Sequence, residues 1–341
     1  MIQQRVCLRA HNTLRLASTA SHYCQVTTTD ELHEAATYAS QQGLPLVLLG
    51  QGSNVVLPRH LNALVVHIAL RGVSLVESAL GTQVTAAAGE SWDSLVQATV
   101  SKGLWGLENL SLIPGTVGAA PIQNIGAYGV EVKDHLLQLH ALNLENGEVE
   151  TLSGADCNFG YRDSLFKGAY RGRFAVLDCT FNLSYEAAPM LEYGGLKKIL
   201  ARPEIVSPQC VRDAVCQLRM AKLPDPSTVP NAGSFFKNPI VSEAQASAIE
   251  AKFPQLVSFK TDSGRKLAAG WMIDNAGLKG IHRGEVGVYH KQALVLTSSG
   301  SADAGQLKKL VEEIQQSVAE RFGVLLEVEP QWYNEDGTVQ S

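Results

Sequence analysis

The spacing of apolar residues along the chain predicts amphipathic helices interspersed with short apolar runs of strand length. The clearest helix covers 303–322 and is stopped by Gly323, because apolar residues three and four apart share one helical face. Its inward stripe is predicted to comprise Leu307, Leu310, Val311, Ile314, Val318 and Phe322. A second helix begins at Ser91 and ends before Gly103, with an inward face of Trp92, Leu95, Val96 and Val100.

Capping signals place further helices, because Ser or Thr at the N-cap and Gly or Pro beyond the last turn set helix limits. The predicted starts are Thr28, Ser207, Ser242 and Ser263, and the predicted ends include Gln42 and the LPDP segment at 223–226. The predicted strands are LPLVLL at 44–49, LNALVVHIAL at 61–70, FAVLDCTFNLSYE at 174–186, ALVL at 293–296 and VLLEVE at 324–329. Strands and helices do not alternate strictly, so the pattern predicts α+β domains.

Composition and charge narrow the function classes. At 341 residues the chain is too long for one ordinary core, so two or three domains are expected, with a boundary near 220–226. A net charge of −5 and a pI near 6.0 leave no basic field to recruit nucleic acid or an anionic membrane. The six cysteines are scattered without metal-ligand spacing, and no apolar run is long enough to cross a bilayer. We expect a cytoplasmic protein with reduced, mostly buried thiols and no metal.

Two stretches predict places where backbone approaches a ligand closely. The turn GQGSN at 50–54 follows an apolar strand, and its consecutive amides can form an anion nest suited to a pyrophosphate. The absence of a following lysine excludes a P-loop, and Val55 stands where a dinucleotide fingerprint needs its third glycine. A plain hairpin turn fits this stretch equally well. The glycine- and proline-rich stretch at 109–132 has no regular period, and such a small-residue surface suits a flat fused ring.

The segment NAGSFFKNP at 231–239 holds one serine, Ser234, between a glycine and two phenylalanines. It predicts either a turn whose aromatic rings cap a core or a serine held rigidly in a substrate pocket. The local pattern alone favours the turn, because Ser and Gly in such places usually serve the backbone.

Together these motifs resemble those of the UDP-N-acetylenolpyruvoylglucosamine reductases, flavoenzymes that make UDP-N-acetylmuramate for bacterial cell walls. The resemblance runs from HNTLRL at 11–16 to VEP at 328–330 and includes GYRDSLFK at 160–167, EYGGL at 192–196 and AKLPDP at 221–226. It implies an α+β fold with an FAD-binding domain of the vanillyl-alcohol-oxidase (p-cresol methylhydroxylase) type. That domain would have subdomains 1–68 and 69–220, the second with a tyrosine loop, followed by an α+β substrate-binding domain at 221–341.

The resemblance also implies roles for individual residues. Arg162 matches the family's substrate-carboxylate arginine, Ser234 its proton donor and Glu329 its site glutamate. Non-covalent FAD would be bound by Gly50, Gln51, Gly52, Ser53, Asn54, Pro114, Gly115, Gly118, Ile122, Gln123, Asn124, Gly126, Ala127 and Tyr128. The substrate would be contacted by Tyr193, Lys222, Asn238, Lys279 and Gln292. Without the resemblance, each polar residue would be interpreted as an exposed side chain, and Arg162 as the partner of Asp163.

Two positions depart from the family pattern. PQWY at 330–333 stands where a hydrophobic residue, an arginine and an apolar pair are expected, so Glu327 is an alternative to Glu329. Both glutamates would face the same side of a strand over 324–329. The tyrosine-loop motif is Tyr-Gly-Gly at 193–195 rather than Tyr-Gly-Asp, which is expected to loosen the loop.

The implied activity is NADPH-dependent reduction of UDP-N-acetylglucosamine enolpyruvate through FAD, in a cytoplasmic monomer that serves peptidoglycan synthesis and hence cell shape and division. Arg162 and a protonated Glu329 would stabilise an enolate that Ser234 protonates. One alternative is an alcohol oxidase of the same fold, although neither cradle motif contains the His or Cys that tethers flavin in many such oxidases. Another is a nucleotide-sugar-binding flavoprotein without turnover. The residues do not separate NADPH from NADH.

Overall fold

The computed structural model describes residues 1–78, 81–193, 195–200 and 206–340. The chain forms two compact units, each assembled from separated stretches of sequence. Unit 1 comprises residues 1–6, 20–52 and 62–221, and unit 2 comprises 7–19, 53–61 and 222–341. The three-domain division at 68 and 220 stays a prediction.

Four helices, which begin at Thr29, Trp92, Pro208 and Glu243, directly follow their predicted capping residues. Their bounds are α1 Thr29–Gln41, α2 Trp92–Ser101, α3 Leu196–Ile199, α4 Pro208–Lys222, α5 Glu243–Lys252, α6 Ala269–Asn275 and α7 Ala304–Phe322. Thr28, Ser91 and Ser242 each accept a hydrogen bond from a first-turn backbone N–H, which satisfies a donor that the helix leaves open. The predicted inward residues of α2 and α7 are all buried. Gly323 ends α7 in the left-handed conformation that favours glycine.

Unit 1 is built on two larger sheets. The first has the order β1-β2-β5-β3, with β1 Gln3–Cys7, β2 Thr19–Val26, β5 His60–Ile68 and β3 Leu46–Leu49. The second is antiparallel in the order β11-β10-β12-β7-β6, with β11 Val149–Ser153, β10 Leu136–Asn143, β12 Phe174–Leu183, β7 Gly81–Ala87 and β6 Val73–Ser78. Helix α2 packs on this sheet through Trp92, whose ring meets Phe181 edge-on at 5.6 Å between centroids. A hairpin of β8 Gly126–Ala127 and β9 Val130–Glu131 lies in the glycine-rich stretch.

Unit 2 has smaller sheets around its own core. The first has the order β13-β19-β18-β17, with β13 Asn231–Ser234, β19 Val295–Ser298, β18 Val286–Val288 and β17 His282–Arg283. The others pair β14 Ile240–Val241, β16 Gly264–Leu267 and β15 Ser258–Thr261, and β20 Gln331–Trp332 with β4 Val55–Val56. The stripe of α7 packs in one core with Phe235 and Phe236 and with Leu14, Leu16 and Val56 from the early segments.

Three local predictions were wrong. Ser263 caps no helix, because it lies in the tight turn between β15 and β16, where Thr261 Oγ1 donates to Gly264 O at 2.9 Å. Residues 324–329 are irregular chain with an isolated bridge from Val328 to Phe236 rather than a strand. The thiols are less buried than expected, since Cys7 and Cys210 are exposed.

Neither a candidate membrane span nor a candidate metal cluster occurs in the described ranges. No helix there combines the length and the apolar character needed to span a membrane. Within the same ranges, no group of three or more His, Cys, Asp or Glu side chains is arranged to hold a metal ion.

Candidate active site

The two predicted flavin-binding loops of unit 1 meet at Gly50 and Thr116. A Cβ atom on Gly50 would lie 2.6 Å from Thr116 Oγ1, so the approach requires a glycine. Beside it, the Gln51 side chain accepts a 3.1 Å hydrogen bond from the Gly115 N–H. The structure therefore brings residues 50–52 and 115–116 together through glycine backbone.

The glycine-rich loop is also fastened to the sheet beneath it. Gly118 N–H donates to Ala88 O at 2.9 Å, and a Cβ on Gly118 would lie 2.5 Å from Ala88 Cβ. Gly52 has a φ of +64°, which places the first loop's turn in the left-handed region. Ser53 and Asn54 belong to unit 2, where Asn54 O accepts a 2.9 Å hydrogen bond from Gln331 N–H.

Asn124 is an internal brace of this loop. It is fully buried, and its Nδ2 donates to Glu131 Oε2 and to Gly160 O, both at 3.0 Å. Its Oδ1 accepts from Lys133 N–H at 3.1 Å. The amide is thus engaged by protein groups, so any part that Asn124 plays in flavin binding comes through the shape of the loop.

Arg162 is held in a strained backbone conformation beside the same loop. Its φ is +55°, a region that costs a non-glycine residue about 1–3 kcal/mol and that is concentrated at functional sites. Its Nη2 donates to Gly126 O at 2.8 Å, and the guanidinium carbon lies 5.4 Å from the centroid of the Tyr161 ring. Lys167 Nζ donates to Arg162 O at 3.2 Å. The GYRDSLFK motif therefore positions a guanidinium against a carbonyl group of the glycine-rich loop.

The predicted tyrosine loop lies against the glycine-rich loop within unit 1. Tyr193 is 39% exposed, and a Cβ on Gly129 would lie 3.4 Å from Tyr193 Cβ and 3.0 Å from Met190 Cγ. The buried Asn109 connects the two loops through hydrogen bonds to Tyr128 O and Met190 O. Burial raises the pKa of Tyr128. Gly194, part of the Tyr-Gly-Gly motif, lies outside the described residues.

A charged clamp holds the residue that precedes IPGTVG. Asp93 on α2 accepts from both Nη atoms of Arg212 on α4, at 2.7 and 2.9 Å, and from Leu112 N–H at 2.6 Å. Arg219, two turns further along α4, donates to Leu112 O at 3.2 Å. Burial acts to raise the pKa of Asp93, but the hydrogen bonds from Arg212 and Leu112 outweigh it and the pKa is lowered. Sequence reasoning missed this clamp, because its members are 119 residues apart.

Ser234 in unit 2 ends strand β13 rather than lying in a loop. It pairs with Val295 of β19, and the preceding Gly233 has a φ of +68° that disfavours any side chain there. Asn231 shapes this turn, since its Oδ1 accepts from Gly233 N–H at 2.8 Å. Phe235 and Phe236 are buried in the core of unit 2, as the aromatic-cap interpretation of NAGSFFKNP expected.

The pairing of the Ser234 strand with residues 327–329 separates the two candidate glutamates. Glu329 N–H donates to Phe235 O at 2.9 Å, which places Glu329 beside the residue that follows Ser234. Glu329 is partly buried, whereas the Glu327 side chain is 73% exposed and forms an ion pair with Lys237. The prediction that the two glutamates face one side of a strand was wrong, because the segment is not a regular strand.

The predicted substrate residues of unit 2 fall into two groups. Asn238 Oδ1 accepts from Ala269 N–H at 2.9 Å at the start of α6, and a Cβ on the next residue, Gly270, would lie 2.9 Å from Gln292 Oε1. Asn238 and Gln292 thus meet at the first turn of α6. By contrast, Lys279 is exposed and forms an ion pair with Asp274. Lys222 is exposed at the end of α4.

These features fit a bound flavin dinucleotide. The loops at 50–52 and 115–116 approach through glycine backbone, and the Gly50 position has no room for a side chain. Backbone amides in such turns are the donors that a pyrophosphate needs. The residues present therefore fit FAD.

Family models and relatives agree with this geometry. Residues 20–153 match a model described as an FAD binding domain, and 225–333 match the C-terminal domain of UDP-N-acetylenolpyruvoylglucosamine reductase. A protein of that name from Ralstonia nicotianae is 50% identical over 330 residues, which cover 95% of this chain and 96% of the relative. Its namesake from Pseudomonas putida is 44% identical over 335 residues, covering 97% and 98%.

A solved structure confirms the fold. The crystal structure of the UDP-N-acetylenolpyruvylglucosamine reductase from Thermus caldophilus superposes with a TM-score of 0.69 at 23% identity, covering 98% of this chain and all of the other. With the two family models, it confirms the predicted α+β architecture of an FAD-binding domain and a C-terminal domain.

Proposed function

The chain belongs to the UDP-N-acetylenolpyruvoylglucosamine reductase family, and we propose that Arg162, Ser234 and Glu329 perform the charge stabilisation and proton transfer of that reaction. The protein is an FAD-dependent oxidoreductase that reduces UDP-N-acetylglucosamine enolpyruvate with NADPH in peptidoglycan precursor synthesis. FAD held by the loops at 50–52 and 115–116 would, once reduced by NADPH, supply the hydride that the enolpyruvyl double bond needs.

The strained conformation of Arg162 is the observation that carries the proposal. A φ of +55° in a partly buried arginine is maintained only where the surroundings over-determine it, and here a flavin-loop carbonyl and a tyrosine ring fix the guanidinium. A planar guanidinium suits a carboxylate that gains enolate charge better than a lysine would. Arg162 is proposed to bind the substrate carboxylate.

Ser234 and Glu329 are proposed to complete the proton chemistry. The turn at Gly233 and the pairing with β19 fix Ser234, so its hydroxyl can give a proton from one defined face. An alcohol is a weak acid, but an enolate carbon is a strong base, and positioning makes the transfer efficient. Glu329, paired next to Ser234 through Phe235, is proposed to hold a proton and donate a hydrogen bond to the substrate carboxylate.

The binding residues are proposed on the same basis. Non-covalent FAD is proposed to contact the loops at 50–54 and 114–128, and Tyr193, Lys222, Asn238 and Gln292 are proposed to contact the substrate. Lys279 is proposed as a further substrate contact, and its charge is already paired with that of Asp274. We further propose a cytoplasmic monomer without nucleic-acid partners, in keeping with the pI near 6.0 and the free cysteines of the described chain.

An anaerobic half-reaction experiment tests the activity. The purified yellow protein is reduced with NADPH, excess NADPH is removed, and UDP-N-acetylglucosamine enolpyruvate is added while flavin absorbance is followed. Return of the oxidised flavin spectrum with formation of UDP-N-acetylmuramate is expected. Flavin that stays reduced with this substrate but is oxidised by air would favour a binding protein or an oxidase of the same fold.

A further inference from the structure

Asn109 is completely buried and joins two loops that are far apart in sequence. Its Nδ2 donates to Tyr128 O and to Met190 O, each at 2.8 Å, across separations of 19 and 81 residues. Tyr128 lies in the flavin-binding loop and Met190 lies three residues before Tyr193. One side-chain amide therefore fastens the tyrosine loop to the flavin loop.

An asparagine side chain at this buried position lowers the stability of the folded state. Its Oδ1 is buried and finds no hydrogen-bond partner among the described residues. A buried acceptor that loses its water without gaining a donor destabilises the folded state, whereas an apolar side chain of the same shape would avoid that cost. What the asparagine provides in return is a pair of hydrogen bonds from Nδ2 to two backbone carbonyl groups.

The contact between the loops depends on two unusual backbone conformations. Tyr128 has a φ of +50° and Gly129 a φ of +86°, which together turn the chain beneath the tyrosine loop. A Cβ on Gly129 would lie 3.0 Å from Met190 Cγ, so the turn forms the seat of that loop. Next to it, Leu191 packs with Trp105 and with Tyr128 in one apolar cluster. A change in the turn at Tyr128 must therefore move its partner loop.

We propose that Asn109 is a positioning residue that couples the flavin-binding loop to the tyrosine loop, so that bound FAD orders the loop that closes over the substrate's uridine diphosphate. The proposal rests on the proposed roles of the two loops. Bound FAD that stabilises the turn at Tyr128 also fixes the position of Tyr128 O, which accepts a hydrogen bond from Asn109 Nδ2. Because coupling is reciprocal, a tyrosine loop closed by substrate then holds FAD more tightly.

Hydrogen–deuterium exchange of the apo and FAD-loaded protein tests this coupling. In the parent, FAD is expected to slow exchange of the amides of residues 190–193 and 195–200 about tenfold, a typical coupling between sites. In Asn109→Leu, which keeps the branched shape and removes both N–H donors, this protection is expected to vanish while residues 114–126 stay protected by FAD. Asn109→Ala provides a second variant. Asn143→Leu, at the buried asparagine that ends β10, is the matched control and should behave like the parent.

A ligand-binding measurement extends the test to function. In FAD-loaded Asn109→Leu, the dissociation constant of the substrate is expected to rise about tenfold, while flavin reduction by NADPH keeps its parent rate. Loop protection by FAD that persists in both Asn109 variants, or that is missing from the parent, overturns the coupling. Loss of FAD binding in both variants also overturns it, since Asn109 would then serve the cradle itself. Exchange needs no turnover, so a failed assignment of the reaction would leave this result unaffected.

Discussion

Lys237 Nζ and Glu327 Oε2 form a surface ion pair 3.0 Å apart, two residues from the glutamate proposed to act on substrate. The pair lies on the two segments that carry Ser234 and Glu329, and Lys237 N–H also donates to Glu327 O at 2.9 Å. Glu327 is therefore committed to Lys237 and to solvent, whereas Glu329 is partly buried, which is in keeping with the role proposed for it.

Substitution of the two glutamates distinguishes these roles. Glu329→Gln keeps the shape but replaces the acidic O–H that is proposed to hydrogen-bond the substrate carboxylate with a weaker amide donor, so reoxidation of reduced flavin by substrate should slow about a hundredfold. Glu327→Gln is the matched control and should retain the parent rate, since a surface ion pair contributes little. Stopped-flow absorbance of the flavin measures both. Equal losses in the two variants would contradict the assignment.

Ser234 should matter only after hydride transfer. Ser234→Ala is expected to keep FAD binding and reduction by NADPH, and to slow the substrate half-reaction about a hundredfold to ten-thousandfold. Ser234→Cys should retain part of the rate, because a thiol can also donate a proton from nearly the same place. Ser298→Ala, at a buried serine of β19, serves as control. If Ser234→Ala reoxidises as fast as the parent, the serine has only a role in the turn.

Arg162→Lys should weaken both binding and the substrate half-reaction. Lysine keeps the charge but loses the planar pair of donors, so the enolate carboxylate is bound less well. The dissociation constant of the substrate should rise and the reoxidation rate should fall about tenfold or more. Arg173→Lys, at an exposed arginine paired with Glu145, is the control. A variant with normal binding and rate would remove Arg162 from the site.

Tyr193→Phe addresses the closing loop. Loss of the hydroxyl should weaken substrate binding, typically by about tenfold for one hydrogen bond to a charged group, with flavin reduction by NADPH nearly intact. Tyr185→Phe, at another exposed tyrosine of unit 1, is the matched control. Titration of substrate into the FAD-loaded protein gives the dissociation constants. A Tyr193→Phe protein that loses FAD instead would assign the loop to flavin binding.

The Asp93 clamp predicts a pH dependence of stability. The pKa of Asp93 is lowered in the folded state, so its contribution is present above the unfolded value of about 3.9 and is lost as pH falls through the folded pKa. Asp93→Asn should lower the free energy of unfolding by about 2 kcal/mol at neutral pH, because it leaves Arg212 without its counter-charge. The difference from the parent should shrink below about pH 4. Urea unfolding at several pH values measures it, with the exposed Asp213→Asn on α4 as control.

Most helices and their buried faces could be predicted from the sequence, because capping residues and apolar periodicity are local signals. The stripe of α7 and the caps Thr28, Ser91 and Ser242 depend on residues within one or two turns, so the structure confirmed them. VLLEVE was misjudged as a strand, because strand formation depends on a partner that the run itself does not specify. Ser263 was misjudged because a serine before a glycine suits a hairpin turn as well as a helix cap.

Parts of the candidate site could be predicted from the sequence only where they form a contiguous motif. GQGSN and IPGTVG predict a cradle by themselves, but the contact of Gly50 with Thr116 joins residues 66 positions apart and needs the fold. Asn109 gave no signal, since a lone asparagine in a glycine-rich stretch resembles any turn residue. Its two carbonyl partners are visible only once both loops are in place.

The interleaved path of unit 2 has a consequence for how this protein can be divided. Leu14, Leu16 and Val56 come from segments 7–19 and 53–61, yet they are buried in the same core as α7. A fragment cut at residue 222 would expose the apolar surfaces that these side chains cover and would be prone to aggregate. Strand β20 would also lose its partner β4. A version of unit 2 that folds by itself must therefore be spliced from three stretches of the chain.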